Sequence, residues 1–191
     1  MIRILVVDDH PAMRAGLNGV LAAEPGIVPL DAIASGDELE SAMRRCAPDV
    51  VLLDYHLPGS DGLILCRQLK RSIPAPAVLI YSAYADAQLA IPAALAGADG
   101  LLHKGATAPE LYTAIRAVAR GLPALPPVPA SLVQAAGEGL DPEDVPVLMM
   151  RLDGASVEEI AATLRCEAGD VLHRIDRMLG RLRVRVPSPA S

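Results

Sequence analysis

The chain has 191 residues, with 17 Lys and Arg against 23 Asp and Glu. Its formal net charge of −6 excludes a polyanion-coating protein that is basic on every surface. Phe and Trp are absent while 52% of residues are apolar, so the core must be built from Val, Leu, Ile, Ala and Met.

Ile2–Val7 is a continuous apolar run and reads as a buried strand. It runs straight into acidic residues, so no secretory leader is expected. His10-Pro11 opens a helix to about Ala23, with proline suited to the first turn. Ile27–Ala34 is a second strand, and Ser35 with Glu38 has the spacing of a capping box for a helix through Arg45. Val50–Leu53 is a third strand ending at Asp54, followed by a loop, Pro58–Gly62, and a helix to about Arg71. Ala77–Tyr81 is a fourth strand. Ala85–Ala96 reads as helical, with Pro92 expected to kink or restart it. Leu101–His103 is a fifth strand, and Thr107 with Glu110 caps a helix ending near Arg120-Gly121.

Alternating strands and helices predict an α/β domain, a doubly wound five-stranded parallel sheet covered on both faces, over residues 1–121. Residues 122–138 are expected to be a Pro-rich linker: Leu122–Ala130 holds four prolines and no charge, and a brief helix follows at Ser131–Ala136. From Leu140 the strand signal vanishes. Asp141-Pro142 reads as an N-cap and first helical residue, and Pro146 as an interruption of that helix. Ser156 and Glu159 form another capping box, and Glu167–Leu182 is the last helix. Residues 139–186 are therefore expected to form a small all-α domain, with 187–191 as a tail. No apolar stretch has the length to cross a bilayer. Cys46, Cys66 and Cys166 are scattered, odd in number and without metal-ligand spacing, which fits reduced thiols in a cytoplasmic protein.

In parallel α/β sheets functional groups collect at the carboxyl ends of strands. Here those ends carry Asp8-Asp9, Asp54, Ser82 and Lys104. Each alone reads as a turn or surface residue; their joint placement on four strand ends points to a site. Three converging carboxylates require a raised pKa or a divalent cation, and all-oxygen ligation favours Mg²⁺. With Mg²⁺ and Lys104 close by, Asp54 has the setting of a nucleophile toward a phosphoryl group, whose oxygens would meet the metal, Lys104 and the Ser82 hydroxyl.

The motifs Ile4–Pro11, Asp54–Gly62 and Gly97-Ala98-Asp99-Gly100 with Lys104 resemble the flavodoxin-like receiver domains of two-component response regulators of the NarL/FixJ class. The resemblance implies that Asp54 accepts a phosphoryl group from a sensor histidine kinase and that Asp9 ligates Mg²⁺. Asp8 would assist and the backbone carbonyl of His56 would complete the protein ligands. Ser82 and Lys104 would contact phosphoryl oxygens. Such proteins form homodimers on activation. One departure is Leu101, which stands where receivers often carry a switching Tyr or Phe; Tyr84 is the available substitute.

Leu140–Val184 resembles the LuxR-type helix-turn-helix, which implies DNA binding and control of transcription. By helical period Val171, Ile175, Met178 and Leu182 of the last helix face inward, and Arg174, Arg177 and Arg181 form a stripe that could follow phosphates. An ordinary solvated face is the competing reading of that stripe. Where the family usually has Lys-Thr-Val-Lys this chain has Gly169-Asp170-Val171-Leu172, so Asp170 would face phosphate unfavourably or accept a bond from cytosine. Residues 140–186 hold nine acids against seven arginines. The alternative is therefore an output domain used for protein–protein interaction or dimerisation. A hydrolase acting on phosphate esters is disfavoured, because no added base or His/Cys cluster accompanies the acids.

Overall fold

The computed structural model describes residues 1–183. The last three residues of the expected helix-turn-helix, Val184, Arg185 and Val186, and the tail 187–191 lie outside that range. Two compact units are present, one formed by 1–85 with 97–125 and one by 86–96 with the chain from 126 onward.

The first unit is built on five parallel strands: β1 (Ile2–Val7), β2 (Ile27–Ile33), β3 (Val50–Asp54), β6 (Ala77–Ser82) and β7 (Gly100–His103), in the order β2-β1-β3-β6-β7. Order reverses at β1, so the carboxyl ends of β1 and β3 flank a topological switch point. Register is continuous across it, Val7 pairing with Leu53 and Asp54 with Tyr81. The central strands β1, β3 and β6 are buried on both faces over most of their length, as the middle of a parallel sheet requires. Ile4, Val6, Leu52 and Tyr81 pack with Leu17 and Leu21 of α1 (Pro11–Ala23) and with Leu111 and Ile115 of α5 (Ala108–Val118). The alternate residues Leu5, Val7, Leu53 and Ile80 are also fully buried. Helices α2 (Leu39–Cys46) and α3 (Gly62–Lys70) pack against β1 and β3.

Three local expectations change. Pro58–Gly62 is a small hairpin in which β4 (His56–Leu57) pairs antiparallel with β5 (Ser60–Asp61) around Gly59, whose φ is +72°. Ser35 and Glu38 do not cap α2. A short 3₁₀ turn, Gly36–Glu38, precedes that helix, and the Glu38 carboxylate accepts from Ala34 N and Ser35 Oγ. Ala124, within the Pro-rich stretch, bonds with β7 on both sides: Leu101 N donates to Ala124 O and Ala124 N to Asp99 O. At Thr107 and Glu110 the box forms, with Thr107 N 2.7 Å from Glu110 Oε2.

The second unit comprises α4 (Ala87–Ala96), α6 (Ala130–Gly137), α7 (Val145–Leu152), α8 (Val157–Leu164) and α9 (Ala168–Arg183). Helix α4 runs unbroken through Pro92, an interior proline that forfeits the backbone bond to Gln88 O. Asp86 caps the start of the helix by accepting from both Gln88 N and Leu89 N at 2.9 Å. Residues Leu89–Ala96 are all buried. A helix with no polar face has to be covered, and α4 meets α6, α7 and α9. One of its terminal carbonyls, Ala94 O, accepts from Arg151 at 2.9 Å. Pro146 falls in the first turn of α7, where it starts the helix; residues 141–144 form a turn before it. The Ser156–Glu159 capping box is complete, and α8 ends at Arg165 in the left-handed region (φ +54°). Val171, Ile175, Met178 and Leu182 are buried, as their period predicts. Among the described residues no helix is long and apolar enough to cross a membrane.

Candidate functional site

Five side chains reach one edge of the sheet because each follows, or ends, a strand in register with its neighbours. Asp8 and Asp9 follow β1, Asp54 ends β3, Ser82 ends β6 and Lys104 follows β7. The Lys104 backbone is fixed from two directions. Its N–H donates to Ser82 O at 2.9 Å, and its carbonyl accepts from the Tyr81 hydroxyl at 2.9 Å. Its ammonium lies 2.7 Å from Asp8 Oδ2 and 2.7 Å from Asp54 Oδ2. Asp8 and Asp54 are buried to within 2% and 4% of full burial, so this lysine is the cation that offsets their mutual repulsion.

The remaining carboxylate oxygens are held by backbone. Asp54 Oδ1 accepts from His56 N at 3.2 Å and Asp8 Oδ1 from His10 N at 2.8 Å. Burial pushes the Asp54 carboxyl above the usual carboxylate range, and the Lys104 hydrogen bond and charge oppose it. For Lys104 burial disfavours the ammonium, but its bonds to Asp54 and Asp8 prevail and its pKa lies above the ordinary value. Ser82 is fully buried, and its hydroxyl oxygen accepts from Tyr84 N at 3.1 Å. Tyr84 itself is half exposed and sets its ring edge-on to His56, 5.4 Å between centroids. Leu101 is buried.

Gly62 keeps the end of β3 and α3 in close approach. A Cβ there would lie 2.6 Å from Asp54 O and 2.8 Å from Tyr55 Cα, both backbone atoms. Asp61 caps the same helix by accepting from Leu63 N at 2.7 Å.

The acidic cluster fits a divalent cation. Asp9 Oδ1 is buried with no donor directed at it, beside two further carboxylates. Ligand atoms of Asp8, Asp9, His10 and Asp54 lie within 4.8 Å of one another. The His10 side chain was not anticipated as part of this group. Its only sequence signal is adjacency to the Asp pair, which ordinarily reads as a helix start.

In the second unit the arginine stripe of α9 is turned onto the acidic turn before α7. Arg177 makes a two-pronged pair with the fully buried Asp144, at 2.8 and 2.9 Å through Nη2, and reaches Glu143 at 3.1 Å. Arg181 pairs with Asp141 at 2.8 Å, and Arg174 donates to Glu143 O at 3.0 Å. Asp170 accepts from Glu167 N at 3.2 Å at the start of α9. The period of α9 puts these arginines on one side, but the acids opposite them come from a segment thirty or more residues earlier in the chain.

Residues 4–116 match the response regulator receiver domain family. The chain is 30% identical over 194 residues to the transcriptional regulatory protein LiaR of Bacillus subtilis, covering 96% of this chain and 92% of that protein. It is also 30% identical to the DNA-binding transcriptional activator DevR/DosR of Mycobacterium tuberculosis, covering 95% and 88%. Among solved structures, a LuxR-family two-component response regulator from Aurantimonas is similar at 31% identity with a TM-score of 0.62, over 72% of this chain and 96% of that one.

Proposed function

Because the chain belongs to the two-component response regulators, we propose that Asp54 accepts a phosphoryl group from a sensor histidine kinase and that its phosphorylation controls transcription through the C-terminal helices. The observation that carries the first half is the Lys104 ammonium 2.7 Å from both Asp8 and Asp54 on the carboxyl edge of the sheet. In the transfer an Asp54 oxygen forms the new bond to phosphorus while the donor's phosphorus–nitrogen bond breaks, and the imidazole leaves with the electron pair. Lys104 then meets charge on the phosphoryl oxygens instead of sharing itself between two carboxylates, and the Ser82 hydroxyl supplies a further donor. Asp8, Asp9 and Asp54, with the His56 backbone carbonyl, would hold Mg²⁺. When bound, the ion neutralises the incoming phosphoryl charge.

Incubating the chain with a small acyl phosphate and Mg²⁺ should add one phosphate to the wild type and none to Asp54→Ala, read by intact mass. Equal phosphorylation of both would remove the assignment.

DNA is the reading of the output unit that its relatives support: DevR/DosR is a DNA-binding activator and LiaR a transcriptional regulator. A homodimer on activation would place two such units on paired half-sites. A second reading, an output unit that binds protein, is favoured by one observation. Arg174, Arg177 and Arg181 are already engaged by Asp141, Glu143 and Asp144 within the unit.

A further inference from the structure

We propose that the His10 imidazole is a fourth protein ligand of the cation beside Asp54, and that it makes the site prefer a first-row transition ion such as Mn²⁺, which accepts nitrogen ligands more readily, over Mg²⁺. This rests on the reading of the acidic cluster as a cation site and adds a specificity-determining residue to it.

Three observations carry the proposal. First, His10 shares the convergence of the carboxylates: one ligand atom from each of Asp8, Asp9, His10 and Asp54 falls within 4.8 Å of the others. Two ligands trans across an ion at about 2.1 Å stand about 4.2 Å apart, so a small inward adjustment closes the set. Second, Nδ1 of His10 lies 2.7 Å from Asp9 Oδ1 and 3.3 Å from Asp8 Oδ1. Yet no donor is directed at Asp9 Oδ1, which is buried. A nitrogen and an oxygen this close, without hydrogen-bond geometry between them, have the spacing of neighbouring ligands converging on one ion; at about 2.1 Å bonds that spacing is about 3 Å. Third, the ring is not used to cap the helix that follows it. His10 precedes α1 at the N-cap position, but its side chain makes no cap hydrogen bond, and Pro11 already supplies a suitable first turn.

The chemical consequence follows from ligand type. Carboxylates and water suit Mg²⁺ and Mn²⁺ about equally, whereas imidazole is a borderline donor that Mg²⁺ binds poorly and transition ions bind well. Replacing one water of the ion by imidazole therefore raises affinity for Mn²⁺ selectively. The ring is largely exposed, which leaves it free to complete the rotation toward an incoming ion.

The test uses the full chain at mildly alkaline pH. Mn²⁺ binding is titrated by its electron paramagnetic resonance signal, Mg²⁺ by displacement of Mn²⁺, and the bound Mn²⁺ is examined for nitrogen modulation in the spin echo. Wild type should show a directly bound nitrogen that His10→Ala lacks. Mn²⁺ affinity should fall about tenfold in that variant while Mg²⁺ affinity changes little. His10→Gln, which keeps a polar side chain without an imidazole, should behave like His10→Ala. Mn²⁺ bound by wild type without nitrogen coupling, or an unchanged Mn²⁺-to-Mg²⁺ preference in both variants, overturns the role of His10 and leaves the carboxylate site standing. Binding of neither ion overturns both.

Discussion

Gly62 shows how little room surrounds the backbone at Asp54. Its missing side chain would meet only backbone, at Asp54 O and at Tyr55 Cα and O, and backbone cannot rotate away as a flexible side chain can. Gly62→Ala should therefore push the Asp54–Tyr55 peptide off its position and destabilise the fold by about 1–3 kcal/mol, the usual cost of overpacking. Urea denaturation measures this; a variant as stable as wild type would mean that α3 can slide without cost. The same shift should slow phosphorylation by acyl phosphate, because Asp54 loses its alignment with Lys104. Burial at this position is what separates Asp54 from an ordinary turn aspartate. Its carboxyl is pushed up by desolvation and its negative charge is shared with the lysine.

At the scale of elements, the contrast between the capping boxes and α9 is instructive. Ser156 and Glu159 complete their box because both partners lie three residues apart and a helix follows directly. Ser35 and Glu38 have the same spacing, but a 3₁₀ turn intervenes and the carboxylate reaches Ala34 N instead. Helix α9 presents its arginines where its period puts them, yet the charges of Arg177 and Arg181 are spent on Asp141, Glu143 and Asp144. Removing the two solvent-facing acids with Asp141→Asn and Glu143→Gln, while leaving the buried Asp144, should free Arg181 and part of Arg177. On random duplex DNA at low salt the double variant should then bind more tightly than wild type, with a log–log salt slope steeper by about one for each arginine that gains a phosphate. No binding by either protein would favour the protein-interaction reading of the output unit.

At the scale of the whole molecule, sequence order and spatial partition disagree at α4. The helix sits between β6 and β7 in the chain, but it belongs with the helices after residue 126. Its Leu89–Ala96 stretch is buried throughout and meets α6, α7 and α9. A fragment ending at residue 125 would keep the sheet but strip α4 of those helices. We expect that fragment to bind a hydrophobic dye and to associate, whereas the full chain does neither. A monomeric fragment without dye binding would show that α4 can be left uncovered. The boundary expected at residue 121 follows the Pro-rich composition; the observed first unit extends to Leu125 because Ala124 adds a backbone bridge beside Gly100.

The five strands, the receiver order of helices and the inward face of α9 were all legible in the amino-acid sequence, because burial on a parallel sheet or a helix face imposes a local period that each segment carries by itself. The gathering of Asp8, Asp54 and Lys104 was legible too, since strand ends in a doubly wound sheet meet at one edge whatever the details of packing. Tertiary structure alone decided the rest. Whether the arginines of α9 face solvent depends on acids more than thirty residues away, and whether α4 groups with the sheet or with the later helices depends on its contacts with α6, α7 and α9. His10 joins the carboxylates through the turn that leads into α1, a backbone direction that no residue pattern encodes. For the arginines and for α4 the deciding contact is long-range, and no window of sequence contains both partners.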